Sequence, residues 1–327
     1  MKTLIVAIVI LSVVGSLNAQ VYKEQNPLAH TFSIVARDSV TGEIGVAVQS
    51  HWYSVGTIVS WGEAGVGVVA TQSFVNPAFG PNGLALLKEG LNAKQVVEKL
   101  IAEDNGRDYR QLSIMDSYGN AATFTGKNCI AEAGHLTGKD FSVQANMMLN
   151  NKVPAAMAEA YKNSKGQLAE RLLAALQAAQ SVGGDIRGKQ SAAILVVKSK
   201  STGKLWEDRI VDIRVDDNPD PILEIARILK VHRAYEHMNR GDLAMENGDT
   251  QKALEEYSAA EKMFPNNLEM KFWHAVTLVN NGKVEDALPI FKVVFDKDKN
   301  WKTLLLRLPN AGLLNVNEHQ LKQIDML

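Results

Sequence analysis

The chain has 327 residues, enough for about two domains of ordinary size. Hydrophobic residues make up 46% and charged residues 22%, and 35 Lys and Arg against 36 Asp and Glu leave a net charge of −1. This balance is that of a folded chain, and it excludes a field that would gather nucleic acid or an anionic membrane surface.

Residues 1–19 read as an export signal. Lys2 supplies the positive start, Leu4 to Val14 the apolar stretch, and Ser16-Leu17-Asn18-Ala19 the small-residue cleavage site. The apolar run is shorter than the about 20 residues that span a bilayer. A cut after Ala19 leaves Gln20–His30 ahead of the first strand, and the expected location is periplasmic or extracellular. The lone Cys129 has no partner for an internal disulfide and reads as a small buried hydrophobe.

From Thr31 to about Ala70 the pattern is that of strands. Thr31–Arg37 and Glu43–Gln49 are rich in β-branched residues and flank a Gly-containing turn, and Thr57–Trp61 with Gly67–Thr71 repeat the arrangement. Their nearly continuous apolar character predicts strands buried on both faces. Helical spacing appears in Gly83–Lys88 and Ala93–Ala102, and a hairpin in Arg110–Met115 and Ala121–Thr125. Helices follow at about Pro154–Lys162 and Leu168–Ala179, then strands at Gln190–Lys198 and Lys204–Val215. Strands and helices joined in this order predict an α+β domain with hairpin connections.

Pro219 and Pro221 mark a boundary, after which a period of 34 residues is countable. From Ala234, Gly241, Ala253, Tyr257, Ala260 and Pro265 fall at positions 8, 20, 24, 27 and 32 of a tetratricopeptide unit; from Leu268, Ala275, Leu278, Ala287 and Phe291 fall at 8, 11, 20 and 24 of a second. Val294 and Lys299 depart from the expected Ala and Pro. Two units are fewer than the usual three, so they are expected to lean on the preceding helix or on Trp301–Leu308.

Few motifs carry chemistry. Gly65-Val66-Gly67-Val68-Val69-Ala70 lies inside a strand pattern, where a dinucleotide fingerprint needs a strand before it and a helix after it. No cofactor is expected. His232 and His237 are five apart, so their rings diverge on a helix, and no metal site is expected. Polar residues at strand ends are the better candidates: Ser50, Thr71, Gln72 and Asn76, then Asp185, Arg187, Gln190 and Ser191, and Asp212, Arg214, Asp216 and Asp217.

Five blocks, 30–48, 70–87, 110–126, 183–193 and 211–221, resemble in order and spacing the bacterial family DUF1028, whose function is unknown. Thr-Phe-Ser-Ile-Val-Ala-Arg-Asp, Gly-Gly-Asp-Ile-Arg-Gly-Lys-Gln-Ser-Ala and Asp-Ile-Arg-Val-Asp-Asp-Asn-Pro carry the resemblance, which covers about residues 30–232. It implies a fold of the N-terminal-nucleophile (Ntn) hydrolase type, a four-layer αββα sandwich. It also implies a role for Thr31, because Ntn enzymes use the free α-amine of a Thr, Ser or Cys as base for its own side chain. Thr31 is then the nucleophile, exposed by a cut at His30-Thr31 made by self-processing or by another protease, with Ser50, Thr71 and Asn76 as further catalytic candidates. Gln72, Asp185, Arg187 and Ser191 are the candidates for binding substrate.

The expected organisation is a signal peptide at 1–19, an N-terminal segment or propeptide at 20–29, the Ntn-like domain at 30–232, helical repeats at 233–300 and a tail at 301–327. The expected function is an exported Ntn-type hydrolase of an amide-containing substrate, with no nucleic-acid partner and no membrane span. The alternative is an inactive Ntn-like binding protein of the cell envelope, with the repeats as adaptor for protein partners. By analogy with Ntn sheets, a homo-oligomer is expected.

Overall fold

A computed structural model describes residues 28–327; the expected signal peptide and residues 20–27 lie outside the described residues. The chain forms two compact units, to Ala226 and from Arg227.

The first unit runs β1 (Leu28–Ala29), β2 (Thr31–Arg37), β3 (Ile44–Ser50), α1 (Gly56–Val59), β4 (Ser60–Glu63), β5 (Gly67–Phe74), α2 (Phe79–Lys88), α3 (Ala93–Glu103), β6 (Arg110–Asp116) and β7 (Ala121–Thr125). It continues β8 (Gly134–Gly138), β9 (Phe141–Ala145), α4 (Val153–Asn163), α5 (Leu168–Ser181), β10 (Ser191–Val197), α6 (Leu205–Asp208) and β11 (Arg209–Val215). One antiparallel sheet has the order β1-β5-β6-β7, with β4 also on β5, and the other the order β11-β10-β3-β2-β9-β8. It is thus a mixed α/β unit built on antiparallel sheets.

The period of two along each strand decides what each face meets. Val35, Ile44, Val46 and Val48 of the second sheet pack on Val68, Ala70 and Met115 of the first, in one buried cluster between the sheets. On the outer face of the first sheet, Val69, Leu112 and Ile114 meet Val96, Val97 and Leu100 of α3. On the outer face of the second, Gly45 lets α5 approach: a Cβ there would lie 2.7 Å from the Leu172 side chain.

Three segments differ from the sequence reading. Thr57–Trp61 is not one strand: the chain makes a helical turn before β4 begins at Ser60. The Thr57 hydroxyl donates to the Ser54 carbonyl at 2.8 Å and the Trp61 indole to the Ile58 carbonyl at 2.9 Å, holding that turn against the β preference of its residues. Lys204–Val215 likewise begins with a helical turn, because buried Asp208 gathers the Ser201 and Thr202 hydroxyls and the Thr202 N–H. The β8–β9 hairpin had no sequence forecast; its turn is closed by Asp140 at φ +60°.

The second unit begins within α7 (Pro221–Glu246) and continues with α8 (Thr250–Met263), α9 (Leu268–Asn280), α10 (Val284–Lys297), α11 (Asn300–Leu305) and α12 (Glu318–Asp325). The repeat positions are where the helices touch. Gly241 lies against Tyr257, and Ala253, Ala260, Ala275, Ala287 and Phe291 are fully buried. Trp301, Leu305, Leu308 and Ile324 join the cluster of Phe272 and Phe291, so chain after the second repeat covers its open end.

Candidate functional site

The chain changes sheets at His30. β1 pairs with β5 through Leu28 opposite Phe74 and Ala29 opposite Ser73, and one residue later β2 begins in the other sheet. Thr31 therefore stands where the chain crosses between the sheets, fully buried. Its neighbours across the sheet are Ser50 on β3 and, beyond it, Ser191 on β10, also fully buried. Three hydroxyl residues that are far apart in sequence thus form one row.

The carbonyl of His30, the acyl half of the His30–Thr31 peptide bond, accepts two hydrogen bonds. The Ser50 hydroxyl donates at 2.5 Å and Arg187 Nη2 at 2.7 Å. Arg187 is held in turn by Asp185, whose side chain is fully buried: Nε donates to Oδ1 at 3.0 Å and Nη2 to Oδ2 at 2.7 Å. The same carboxylate accepts the backbone N–H groups of Arg187 (2.9 Å) and His51 (3.1 Å). An isolated β-bridge from Met148 to Asp185 ties this loop to the chain that follows β9. Ser191 acts one step further out: its hydroxyl donates to the Trp52 carbonyl and accepts the Val55 N–H at 3.0 Å, fixing the loop that follows Ser50. The Thr31 hydroxyl donates to the Ala29 carbonyl at 2.8 Å.

Behind Thr31 the space between the sheets is polar. Gln72 Nε2 donates to the Thr31 carbonyl at 3.2 Å and to Gln111 Oε1 at 2.6 Å, and Gln72 Oε1 accepts the Ser33 hydroxyl at 2.6 Å. Asn146 Nδ2 donates to Gln111 Oε1 at 2.9 Å, and its Oδ1 faces His30 Nδ1 at 2.8 Å, so Nδ1 carries the proton. The His30 ring is edge-on to Phe74, 5.3 Å between centroids. Burial lowers the His30 pKa below its ordinary value, and the nearby Arg187 charge adds to this against the Asn146 hydrogen bond.

Of the eight residues given catalytic or substrate-binding roles from the sequence, six are therefore joined by contacts: Thr31, Ser50, Gln72, Asp185, Arg187 and Ser191. Thr71 and Asn76 are bonded to each other instead, the Thr71 hydroxyl donating to the Asn76 carbonyl at 3.2 Å. Thr71 follows the opposite parity of β5 from Gln72 and so faces the helices, while Asn76 Oδ1 caps its own turn at Ala78. His30, Gln111 and Asn146 were not among the sequence candidates. Gln111 gave no signal, since a Gln in a strand pattern reads as a solvent-facing position.

His232 and His237, as their spacing required, turn to different carboxylates: Glu236 at 3.6 Å and Glu256 at 2.7 Å. Cys129 is half-buried, with burial pushing its thiol pKa up.

The comparison with known proteins matches the "Family of unknown function (DUF1028)" over residues 31–225. The chain belongs to the DUF1028 family. Its match begins at Thr31, the first residue of β2. A crystal structure of a DUF1028 protein from Silicibacter pomeroyi is similar, with 35% sequence identity, a TM-score of 0.57, and coverage of 62% of this chain and 85% of that one. A tetratricopeptide repeat match covers residues 244–308, which gives the DUF1028 chain a capacity for protein interaction. No curated protein matches. Among the described residues, no helix is long and apolar enough to cross a membrane.

Proposed function

We propose that this DUF1028 chain is exported and is an Ntn-type amidohydrolase, with Thr31 as nucleophile once the His30–Thr31 bond is cut. The observation that carries the reading is the pair of donors, Ser50 Oγ and Arg187 Nη2, on the carbonyl of that bond. Two directed donors at a carbonyl stabilise the oxyanion formed when a nucleophile adds to it. Paired helices on the outer face of each of two stacked antiparallel sheets are in keeping with the four-layer αββα sandwich of Ntn enzymes. The start of the family match at Thr31 supports the same residue.

In the freed chain the α-amine, with an ordinary pKa of about 7.7–8.0, takes the proton of the Thr31 hydroxyl as Oγ adds to the substrate amide carbon. Ser50 and Arg187 hold the oxyanion, and Asp185 positions Arg187. The C–N bond breaks, the leaving amine takes the proton, and water then hydrolyses the Thr31 ester to release the acid. A β-lactone, which acylates an activated hydroxyl, tests this. The mature protein should take up one equivalent on Thr31, and Thr31→Ala none; mature protein that takes up none contradicts it.

One observation favours the alternative, an inactive Ntn-like binding protein of the cell envelope that recruits protein partners through its repeats. Leu28 and Ala29 are members of the sheet, and a segment so paired is positioned to stay. Under that reading ligand capture is unchanged in Thr31→Ala. Any homo-oligomer belongs to the proposal and is tested by sedimentation.

A further inference from the structure

We propose that Leu28–His30 is an internal analogue of the substrate, and that the freed site takes an extended peptide ending in a small residue followed by a neutral hydrogen-bonding ring. This rests on the reading of Thr31 given above. It adds a substrate class to that reading: the acyl side is peptide, bound as a strand.

Three observations carry it. First, the segment binds as a strand. On this side β5 is covered by β4 over Gly67–Ala70 and by β1 at Ser73 and Phe74. Removing Gln20–His30 therefore uncovers β5 at Ser73 and Phe74, where the Phe74 carbonyl stays on the Arg110 guanidinium and the rest of the edge accepts another extended chain in the same register. Second, the side-chain subsites are formed. The His30 ring lies edge-on to Phe74, which is itself edge-on to Tyr109 at 5.5 Å, while Asn146 Oδ1 takes its N–H. This place is buried and offers an acceptor, so it suits a neutral ring bearing a donor and rejects a carboxylate. The lowered pKa of His30 agrees with a place that keeps the ring uncharged. Third, Ala29 is fully buried within the cluster between the sheets, so a larger side chain there would have to displace packed neighbours. The carbonyl that follows is already on Ser50 and Arg187, so the segment presents its last acyl group where a substrate amide would be attacked.

The test uses the full mature chain and a series of N-acetylated tripeptide aminocoumarin amides, with its N-terminus read by intact mass in the same preparation. The expected result is cleavage of Leu-Ala-His with kcat/KM about tenfold or more above both Leu-Ala-Asp and Leu-Leu-His, the loss that follows from burying an unpaired charge or overfilling a packed site. The acetylated Leu-Ala-His acid should compete with the amide. A chain that begins at Thr31 and cleaves all three alike, or prefers the Asp peptide, overturns this inference and leaves the nucleophile intact. A chain that retains Gln20–His30 overturns the reading of Thr31, and this inference with it.

Discussion

Asp185 is the residue on which the arrangement around the His30 carbonyl depends. Its carboxylate, wholly buried, accepts four hydrogen bonds: two from the Arg187 guanidinium and one each from the N–H groups of Arg187 and His51. Asp185→Ala removes all four of these hydrogen bonds together and leaves the guanidinium with the His30 carbonyl alone. Breaking a buried ion pair from one side costs about 3–5 kcal/mol. The Arg187 side chain keeps 27% of its surface exposed, so water recovers part of that loss and the lower end, about 3 kcal/mol, is expected. With a urea m value of about 3 kcal/mol/M, the unfolding midpoint falls by about 1 M. The double variant with Arg187→Ala should lose less than the two single losses summed, with a coupling of about 1–3 kcal/mol. A loss below about 1 kcal/mol for Asp185→Ala, or strict additivity in the double variant, would refute the claim that this pair is a coupled buried unit.

Ser50→Ala removes one of the two donors on the His30 carbonyl, and losing one oxyanion donor costs about 10²–10³ in rate. With the His30–Thr31 bond cut by the chain itself, through addition of the Thr31 hydroxyl to that carbonyl, the unprocessed chain should accumulate, as followed by mass over time; unchanged processing would remove Ser50 from that step. Gly241→Ala puts a Cβ 2.7 Å from the Tyr257 ring, and overpacking of this kind costs about 1–3 kcal/mol, read as a lower melting temperature for the helical unit. Acid acts on the two units in different windows. Burial raises the Glu256 pKa, but hydrogen bonds from His237, Lys252 and Arg240 outweigh it and bring it down to about 2. That stabilisation is complete above the ordinary carboxylate value and is lost as pH falls through about 2, so Glu256→Gln should flatten the acid limb of the helical unit. For His30, whose pKa is lowered, the unfolded chain binds the proton first. Docking of residues 28–30 should therefore weaken as pH falls below about 6.5, visible as faster amide exchange at Ser73 and Phe74.

Much of this was legible in the residues, and the failures have physical causes. Continuous apolar runs at 31–37 and 44–50 become central strands, because both of their faces are covered. Helical repeats announced themselves by small residues at contact positions, as Gly241 against Tyr257 illustrates. Arg110–Met115 and Ala121–Thr125 pair as the hairpin read from the sequence, but which way their polar residues face was not legible. Ser113, Thr123 and Ser142 alternate with apolar residues, a pattern that normally means one wet face. Here those polar faces meet between the sheets, Ser113 to Thr123 at 2.8 Å and Thr123 to Ser142 at 2.7 Å. Pairing register, which aligns Thr31, Ser50 and Ser191, is a long-range property and leaves no local trace. Parity along β5 likewise sends Gln72 inward and Thr71 to the helices, although the two are neighbours in the chain.

The chemistry assigned to Thr31 requires its amine, and intact mass of the purified mature chain reads that directly. The wild-type chain should begin at Thr31, and a Thr31→Ala variant should keep the residues before it. A wild-type chain that begins at Gln20, with no fraction starting at Thr31, would contradict that chemistry.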